Sequence, residues 1–381
     1  SQRYIRLEGD FVVPPELLGG PLEADLRARV AALGALYQEL ARALTPAAHP
    51  GGRAASRAEQ RAQEARANED ARYALPLCAT AQLGMTANAR SLELAIARLA
   101  GHPLAEARAL GAAIHAAVAR VAPSVIRYTE ATPYFRDTGP ALAALAAGLL
   151  GAVRAPEPAR GHGLARLVAH TPEPDREVAA ALLFAHGGGA LEAARVAARA
   201  LAPERLQALF AEVYARMQLW DALPRAWEAV GFTFELTLSA AAFGQLKRHR
   251  MSSQLVQPYD PALGRAIPDS VREAGLADAL ERELERCEAL HARVAAAAGP
   301  AVAAYCLTNA HRRRVLVQLN GRALGHFARL RCDAEAQWDI RALAHAMVAA
   351  AREVMPLAGA FYGGKDCVET LRTGLAPGTR A

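Results

Sequence analysis

Apolar positions along this chain recur with two periods. Leu22, Leu26, Val30, Leu33, Tyr37, Leu40 and Leu44 are three or four residues apart and predict one buried face of a long helix. A second face of the same kind runs through Leu276, Leu280, Leu284, Cys287 and Leu290. Between them the period changes. Phe232, Phe234, Leu236 and Leu238 alternate with Thr233, Glu235 and Thr237, which predicts a half-buried strand. A short helix from Ala240 to Lys247 follows and delivers Arg248-His249-Arg250. Leu167-Val-Ala-His-Thr-Pro-Glu-Pro reads as a strand entering a helix, and helices are predicted around Arg176–Ala185 and Pro203–Met217. Gly187-Gly188-Gly189 reads as a loop at a helix end, because no strand leads into it.

The order of elements repeats. Phe11-Val-Val-Pro-Pro leads into the first long helix and Ala266-Ile-Pro into the second. Each is followed by a short segment of strand character, then Asn88-Ala-Arg90 or Asn320-Gly-Arg322, then helices closed by proline after His115 and His345. A repeat of this length predicts two copies of one unit, over residues 1–150 and 151–381, joined near the Gly-, Pro- and Arg-rich stretch Gly148–His162. The first copy carries an extra polar insertion, Pro46 to Asp70, expected to be a solvated loop or frayed helix. The strand, two helices and second strand that open copy 2 have no counterpart ahead of copy 1, which predicts a segment upstream of Ser1. Hairpin-like alternation without regular strand–helix–strand crossovers predicts an α+β fold.

Composition narrows the chemistry. The net charge is +6, and only two of the 44 basic residues are lysines, Lys247 and Lys365. Arginine suits bidentate grip on phosphate and carboxylate, and base composition of the genome accounts for the bias equally well. Nucleotides, nucleic acid and acidic lipid all fit the charge, and no nucleic-acid motif singles out the second. The five cysteines have no zinc spacing, and His170, His186 and His249 are not placed as metal ligands, so no metal is expected. No apolar run would span a bilayer and no signal peptide is present, so a cytoplasmic protein is expected.

The motifs are more specific. Gln245 and Arg248-His249-Arg250 follow the strand Gly231-Phe-Thr-Phe-Glu-Leu. Asn320-Gly-Arg322 leads to His326-Phe-Ala-Arg-Leu-Arg331 and Ala336-Gln337-Trp338-Asp339-Ile340. Copy 1 begins Ser1-Gln2-Arg3-Tyr4 and continues with Ala71-Arg72-Tyr-Ala-Leu-Pro76 and Asn88-Ala-Arg90-Ser. Over nearly its whole length the chain resembles the flavin-dependent thymidylate synthases, in a two-copy form. The departures are equally specific. Pro258 and Asp260 stand at the family's serine and following arginine in copy 2, and Ala304 matches Arg72. In copy 1, Leu94 and Leu99 match His326 and Arg331; in copy 2, Leu223 and Ala229 stand shortly before the Phe-Thr-Phe strand, where the family carries a histidine.

The losses are complementary. Copy 1 keeps Ser1, Arg3 and Arg72, while copy 2 keeps Gln245, Arg248, His249, Arg250 and Arg331. The resemblance implies methylation of deoxyuridine monophosphate (dUMP) to dTMP with FAD, NADPH and methylenetetrahydrofolate, at one composite site formed between the copies. Ser1 and Arg3 would stand at the reacting centre. Ser1, Gln2, Arg3, Arg72, Gln245, Arg248 and Arg331 would bind the nucleotide. Arg248, His249, Arg250, Asn88, Arg90, Asn320, Arg322 and His326 would bind FAD. Independent decay into a flavin- or nucleotide-binding pseudoenzyme is the alternative. Taken without the resemblance, His326 on an apolar helix reads equally as a core histidine, and Arg312-Arg313-Arg314 as a solvated edge. Single-copy relatives are tetramers, so a dimer of these two-copy chains is expected.

Overall fold

The computed structural model describes residues 10–45, 56–151, 163–218 and 220–367. Ser1, Gln2 and Arg3 lie outside them. In chain order the helices of the first stretch are α1 (Pro21–Ala43), α2 (Arg57–Ala71), α3 (Ala89–Ala100), α4 (Ala105–Ala119) and α5 (Pro133–Gly151). Then come β1 (Ala165–His170), α6 (Pro174–Gly187), α7 (Leu191–Ala200), α8 (Pro203–Tyr214), β2 (Gly231–Ser239), α9 (Ala240–Leu246) and β3 (Ser252–Tyr259). The chain continues through α10 (Asp269–Glu273), α11 (Ala277–Ala298), α12 (Pro300–Ala303), β4 (Arg312–Asn320), α13 (Gly321–Arg331) and α14 (Trp338–Val354).

These elements form two compact units, Ser1–Ala159 with Ile267–Asn309, and Arg160–Ala266 with Ala310–Ala381. The repeat in the sequence and the packing of the chain thus divide differently. Residues 267–309, expected from the sequence to fall in a second copy, pack in the first unit.

In the first unit α1 lies against α11. Leu26, Val30, Leu33, Leu36, Tyr37, Leu40 and Ala41 are the buried face of α1, and Leu280, Leu284, Cys287, Leu290 and Val294 that of α11. Each of these α11 residues matches a buried residue of α1 at the offset of 254 residues that also separates the ion-paired Arg29 and Glu283, while Tyr37 and Ala41 match the half-buried His291 and Ala295. The segments that follow pair reciprocally. Pro76 bridges the aligned Thr308 in antiparallel sense. Leu77 N–H donates to the Leu307 carbonyl at 2.8 Å, and Asn309 N–H to the Leu75 carbonyl at 3.0 Å. Each bond is the image of the other under exchange of the copies, which is the mark of a local two-fold relationship. Cys78, Cys287 and Cys306 are buried here, and burial pushes each thiol up to about 12, so they act as small apolar side chains.

The polar insertion is more ordered than its composition suggests. Within the described residues it is α2, opened by a capping box in which Ser56 and Glu59 each accept the other's backbone N–H. Residues 80–88, aligned with β4, form no strand. Strand β4 itself is held on one side by β2 and on the other by β3.

The second unit is an antiparallel sheet of order β1-β2-β4-β3 with helices against it. Strand β2 buries Phe232, Phe234, Leu236 and Leu238, as its alternation predicts. The same core takes Phe327 and Leu324 from α13, Leu343 and Met347 from α14, and Trp227. Helix α7, which the sequence reading left out, closes against α6. Strand β4 is interior, so Arg312-Arg313-Arg314 is not a solvated edge. Arg313 donates to the Gln257 carbonyl at 2.8 Å and lies 3.8 Å from the ring centre of Tyr259 and 5.0 Å from that of Phe243. Burial lowers its pKa. A guanidinium sandwiched between rings keeps its charge while its planar face sheds water, which is how an arginine is tolerated at this depth.

Candidate functional site

A pocket of about 840 Å³ opens in the second unit between the end of α9, the start of β3, the end of β4 and the exposed side of α13. Its floor is apolar, with Leu246, Val317, Leu319, Phe327, Leu330, Met347 and Phe361. Its polar lining is strongly cationic. Arg248, Arg250, Arg322, Arg329, Arg331 and Lys365 reach it, against the single carboxylate of Glu228. Clustered cations over an apolar floor suit a flat aromatic ligand that carries phosphate.

The local sequence explains the arrangement. Ser239 ends β2 and caps α9 through Ala242 N–H, while its hydroxyl donates to buried Asp339. This fixes the direction of a helix of about two turns, whose end delivers Arg248-His249-Arg250 to the pocket. On the opposite wall Asn320 caps α13, its side-chain oxygen accepting from Ala323 N–H at 2.8 Å. Asn88 caps α3 in the same way through Ser91 N–H at 2.9 Å, so the two Asn-x-Arg elements share one local geometry.

Four of the polar groups form a chain. Arg331 donates from Nε to His249 Nε2 at 3.0 Å and from Nη1 to Gln245 Oε1 at 3.1 Å. Gln245 in turn donates to Gln337 Oε1 at 3.2 Å, and Gln337 caps α14. Because Nε2 of His249 accepts, its proton sits on Nδ1. Burial first, then the charges of Arg331 and His326, depress the His249 pKa to about 4. Burial and the neighbouring Arg248 lower that of Arg331 as well. The ring of His249 stands edge-on to Phe327 at 4.8 Å. Arg331 is therefore held by its Nε and one Nη, leaving its remaining N–H donors for a ligand.

Arg248 and Arg250 differ. Both are exposed, and neither makes a hydrogen bond or ion pair among the described residues. Arg322, by contrast, donates to the Leu223 carbonyl at 2.8 Å and to Glu228 at 3.2 Å, so its guanidinium is largely committed to the pocket wall. His326 is exposed and lines the pocket, which overturns the core-histidine reading. Leu223, in the region where the resemblance expects a histidine, is a wall residue.

The structure thus gathers Arg248, His249, Arg250, Asn320, Arg322, His326 and Arg331 at one pocket, with Gln245 directly behind. Arg72, Asn88 and Arg90 belong to the first unit. Arg72 is half-buried, its carbonyl accepting from Asn309 Nδ2 at 3.0 Å and its Nε buried without a hydrogen-bond partner. Asn88 and Arg90 are exposed. Sequence reasoning missed Trp220, Phe361 and Lys365 on the pocket lining, which carry no motif, Arg329, which lies inside the quoted His326–Arg331 run but was given no role, and Gln337, whose place next to Gln245 no spacing encodes. Among the described residues no group of acidic, histidine and cysteine side chains could hold a metal, and no helix is long and apolar enough to cross a membrane.

The fold and the pocket define an α+β protein with an arginine-rich pocket over an apolar floor. The chain matches the thymidylate synthase complementing protein family over residues 1–124 and 166–357, and it belongs to that family. A flavin-dependent thymidylate synthase of Geobacter sulfurreducens is 31% identical over 199 residues, 50% of this chain and 82% of that protein. A UPF0159 protein of Chlamydia pneumoniae is 26% identical over 299 residues, 76% of this chain and 56% of that protein, so the chain spans little more than half of that relative. Among solved structures, a UMP/dUMP methylase of Streptomyces cacaoi bound with 5-Br dUMP is similar at 17% identity and a TM-score of 0.41, covering 51% of this chain and 92% of that one.

Proposed function

We propose that this protein methylates dUMP to dTMP with FAD, NADPH and methylenetetrahydrofolate, at a composite site to which both copies contribute. The observation that carries the reading is the pocket itself, where unpaired Arg248 and Arg250 stand beside a pre-organised Arg331–His249–Gln245 chain. The residues fit the flavin. The volume falls within the several hundred to a thousand Å³ usual for cofactor sites, the floor is apolar, and unpaired arginines are on hand for a pyrophosphate. Arg248, His249, Arg250, Asn320 and His326 of this pocket would hold it, with Arg322 supporting the wall. Asn88 and Arg90 would act from copy 1. When bound, the flavin supplies the hydride of the reaction.

The chain's own contribution is binding and placement. The outward donors of Arg331 and the fork of Arg248 would grip the nucleotide phosphate in bidentate, charge-assisted fashion. His249, neutral near pH 7, adds no charge and keeps Arg331 oriented. Ser1, Gln2, Arg3 and Arg72 would complete the nucleotide site from copy 1. The reciprocal bonds at Leu75–Leu77 and Leu307–Asn309 support pairing of the copies about a local two-fold, with the Arg72 segment at its centre. Two copies per chain favour a dimer of chains. The test is titration with FAD followed by flavin absorbance and fluorescence. Micromolar binding, lost in Arg248→Ala/Arg250→Ala, is expected. A folded protein that takes up no FAD refutes the reading.

A further inference from the structure

We propose that the seam between α1 and α11 is charge-coded, so that a first copy accepts a second copy and rejects another first copy. The apolar residues of the seam cannot make this choice. Leu26 aligns with Leu280, Val30 with Leu284, and Leu36 with Leu290, so either helix offers much the same surface to a partner. Close to its axis, an interface built on a two-fold brings a position near its own equivalent. Position 29 of the first copy and position 283 of the second, 254 residues apart, are such a pair, and they carry opposite charges. Arg29 and Glu283 meet at 2.6 Å, with side chains only 25% and 15% exposed. Two first copies on the same seam would set Arg29 against Arg29, and two second copies Glu283 against Glu283.

A second pair points the same way. Asp25 meets Arg293 at 2.8 Å. At the same offset, the residue aligned with Arg293 is Glu39, and the one aligned with Asp25 is Ala279. A pairing of first copies would therefore replace this bridge with Asp25 facing Glu39. Partner choice is a difference in affinity, and repulsion against the wrong partner contributes as much to it as attraction to the right one. The code keeps each Arg72 segment opposite a 304–308 segment, which lacks that arginine. It stands on the geometry of the first unit and does not depend on flavin or nucleotide binding.

The test uses the full chain with two paired changes. Arg29→Glu/Glu283→Arg preserves the code in reverse. Arg29→Gln/Glu283→Gln erases it while keeping side-chain size. Each is unfolded, refolded at high protein concentration, and sized by chromatography with light scattering. The reversed pair is expected to match the parent in chain stoichiometry and in Tm, to within about 2 °C. The neutral pair is expected to yield a several-fold larger share of higher-order species than the parent. A neutral pair with the parent's stoichiometry overturns the proposal, because the ion pair would then only stabilise. A reversed pair that assembles like the neutral one also overturns it. Should the reversed pair fail to fold, the neutral pair decides alone.

Discussion

Arg331 and His249 are joined end to end, with the Nε of one donating to the Nε2 of the other at 3.0 Å. The bond settles three things together. It assigns the histidine proton to Nδ1, it makes the histidine an acceptor and so neutral, and it turns the open side of the guanidinium to the pocket.

The first prediction follows from that neutrality. His249 titrates near 4 in the fold, against an ordinary value of 6.5. Between those values the unfolded chain binds a proton that the folded chain refuses. Its contribution to stability is complete above about pH 6.5 and is lost as pH falls through this window. Histidine NMR titration should show one ring unprotonated at pH 5.5, and that resonance should vanish in His249→Gln. The acid limb of the stability curve should flatten in the same variant.

Arg331→Lys should be a severe change despite the conserved charge. An ammonium lacks the planar fork that reaches His249 and Gln245 at once while facing the pocket. Loss of about 1.5–3 kcal/mol of nucleotide binding is expected, roughly tenfold to more than a hundredfold in Kd. Calorimetric titration with dUMP in the presence of FAD reads it directly. A Kd within twofold of the parent would remove Arg331 from the nucleotide site.

Asn320→Ala separates support from contact. The side-chain oxygen caps α13, and its loss should cost about 1 kcal/mol of stability. Asn320→Asp keeps an acceptor and should recover the Tm while placing a negative charge beside the ligand. FAD affinity should therefore fall further in the Asp variant than in the Ala variant. Equal FAD affinity in both would assign Asn320 a purely structural role.

Much of this was legible in the sequence, for physical reasons. Strand β2 announced itself because one face is buried, so the period of two at Phe232 to Leu238 had to be kept. The Arg248-His249-Arg250 element was found because a strand, a cap and a short helix precede it in order. Helix α2 was obscured by polar composition, although Ser56-x-x-Glu59 was available as a cap signal. Arg312-Arg313-Arg314 was misplaced because three arginines look solvated in one dimension. The aromatic sandwich of Tyr259 and Phe243 that shelters Arg313 comes from two other segments. His326 was ambiguous on its helix, since nothing local says that the pocket lies on its side. The reciprocal bonds at Leu75–Leu77 and Leu307–Asn309 are set by main chain and leave no trace in residue type.

The central claim is that this chain turns over dUMP using residues from both copies. It is tested most directly by tritium release from dUMP labelled at carbon 5, with FAD, NADPH and methylenetetrahydrofolate, in the parent, Arg72→Ala, Arg331→Ala and the double variant. The account predicts release by the parent and at least a tenfold loss in kcat/KM for each single change. It also predicts a double variant whose loss departs measurably from the sum of the two, because two arginines on one phosphate are coupled. No release from flavin-loaded parent protein would contradict the enzyme reading and leave a nucleotide- or flavin-binding pseudoenzyme. A silent Arg72→Ala beside a damaging Arg331→Ala would contradict the composite site.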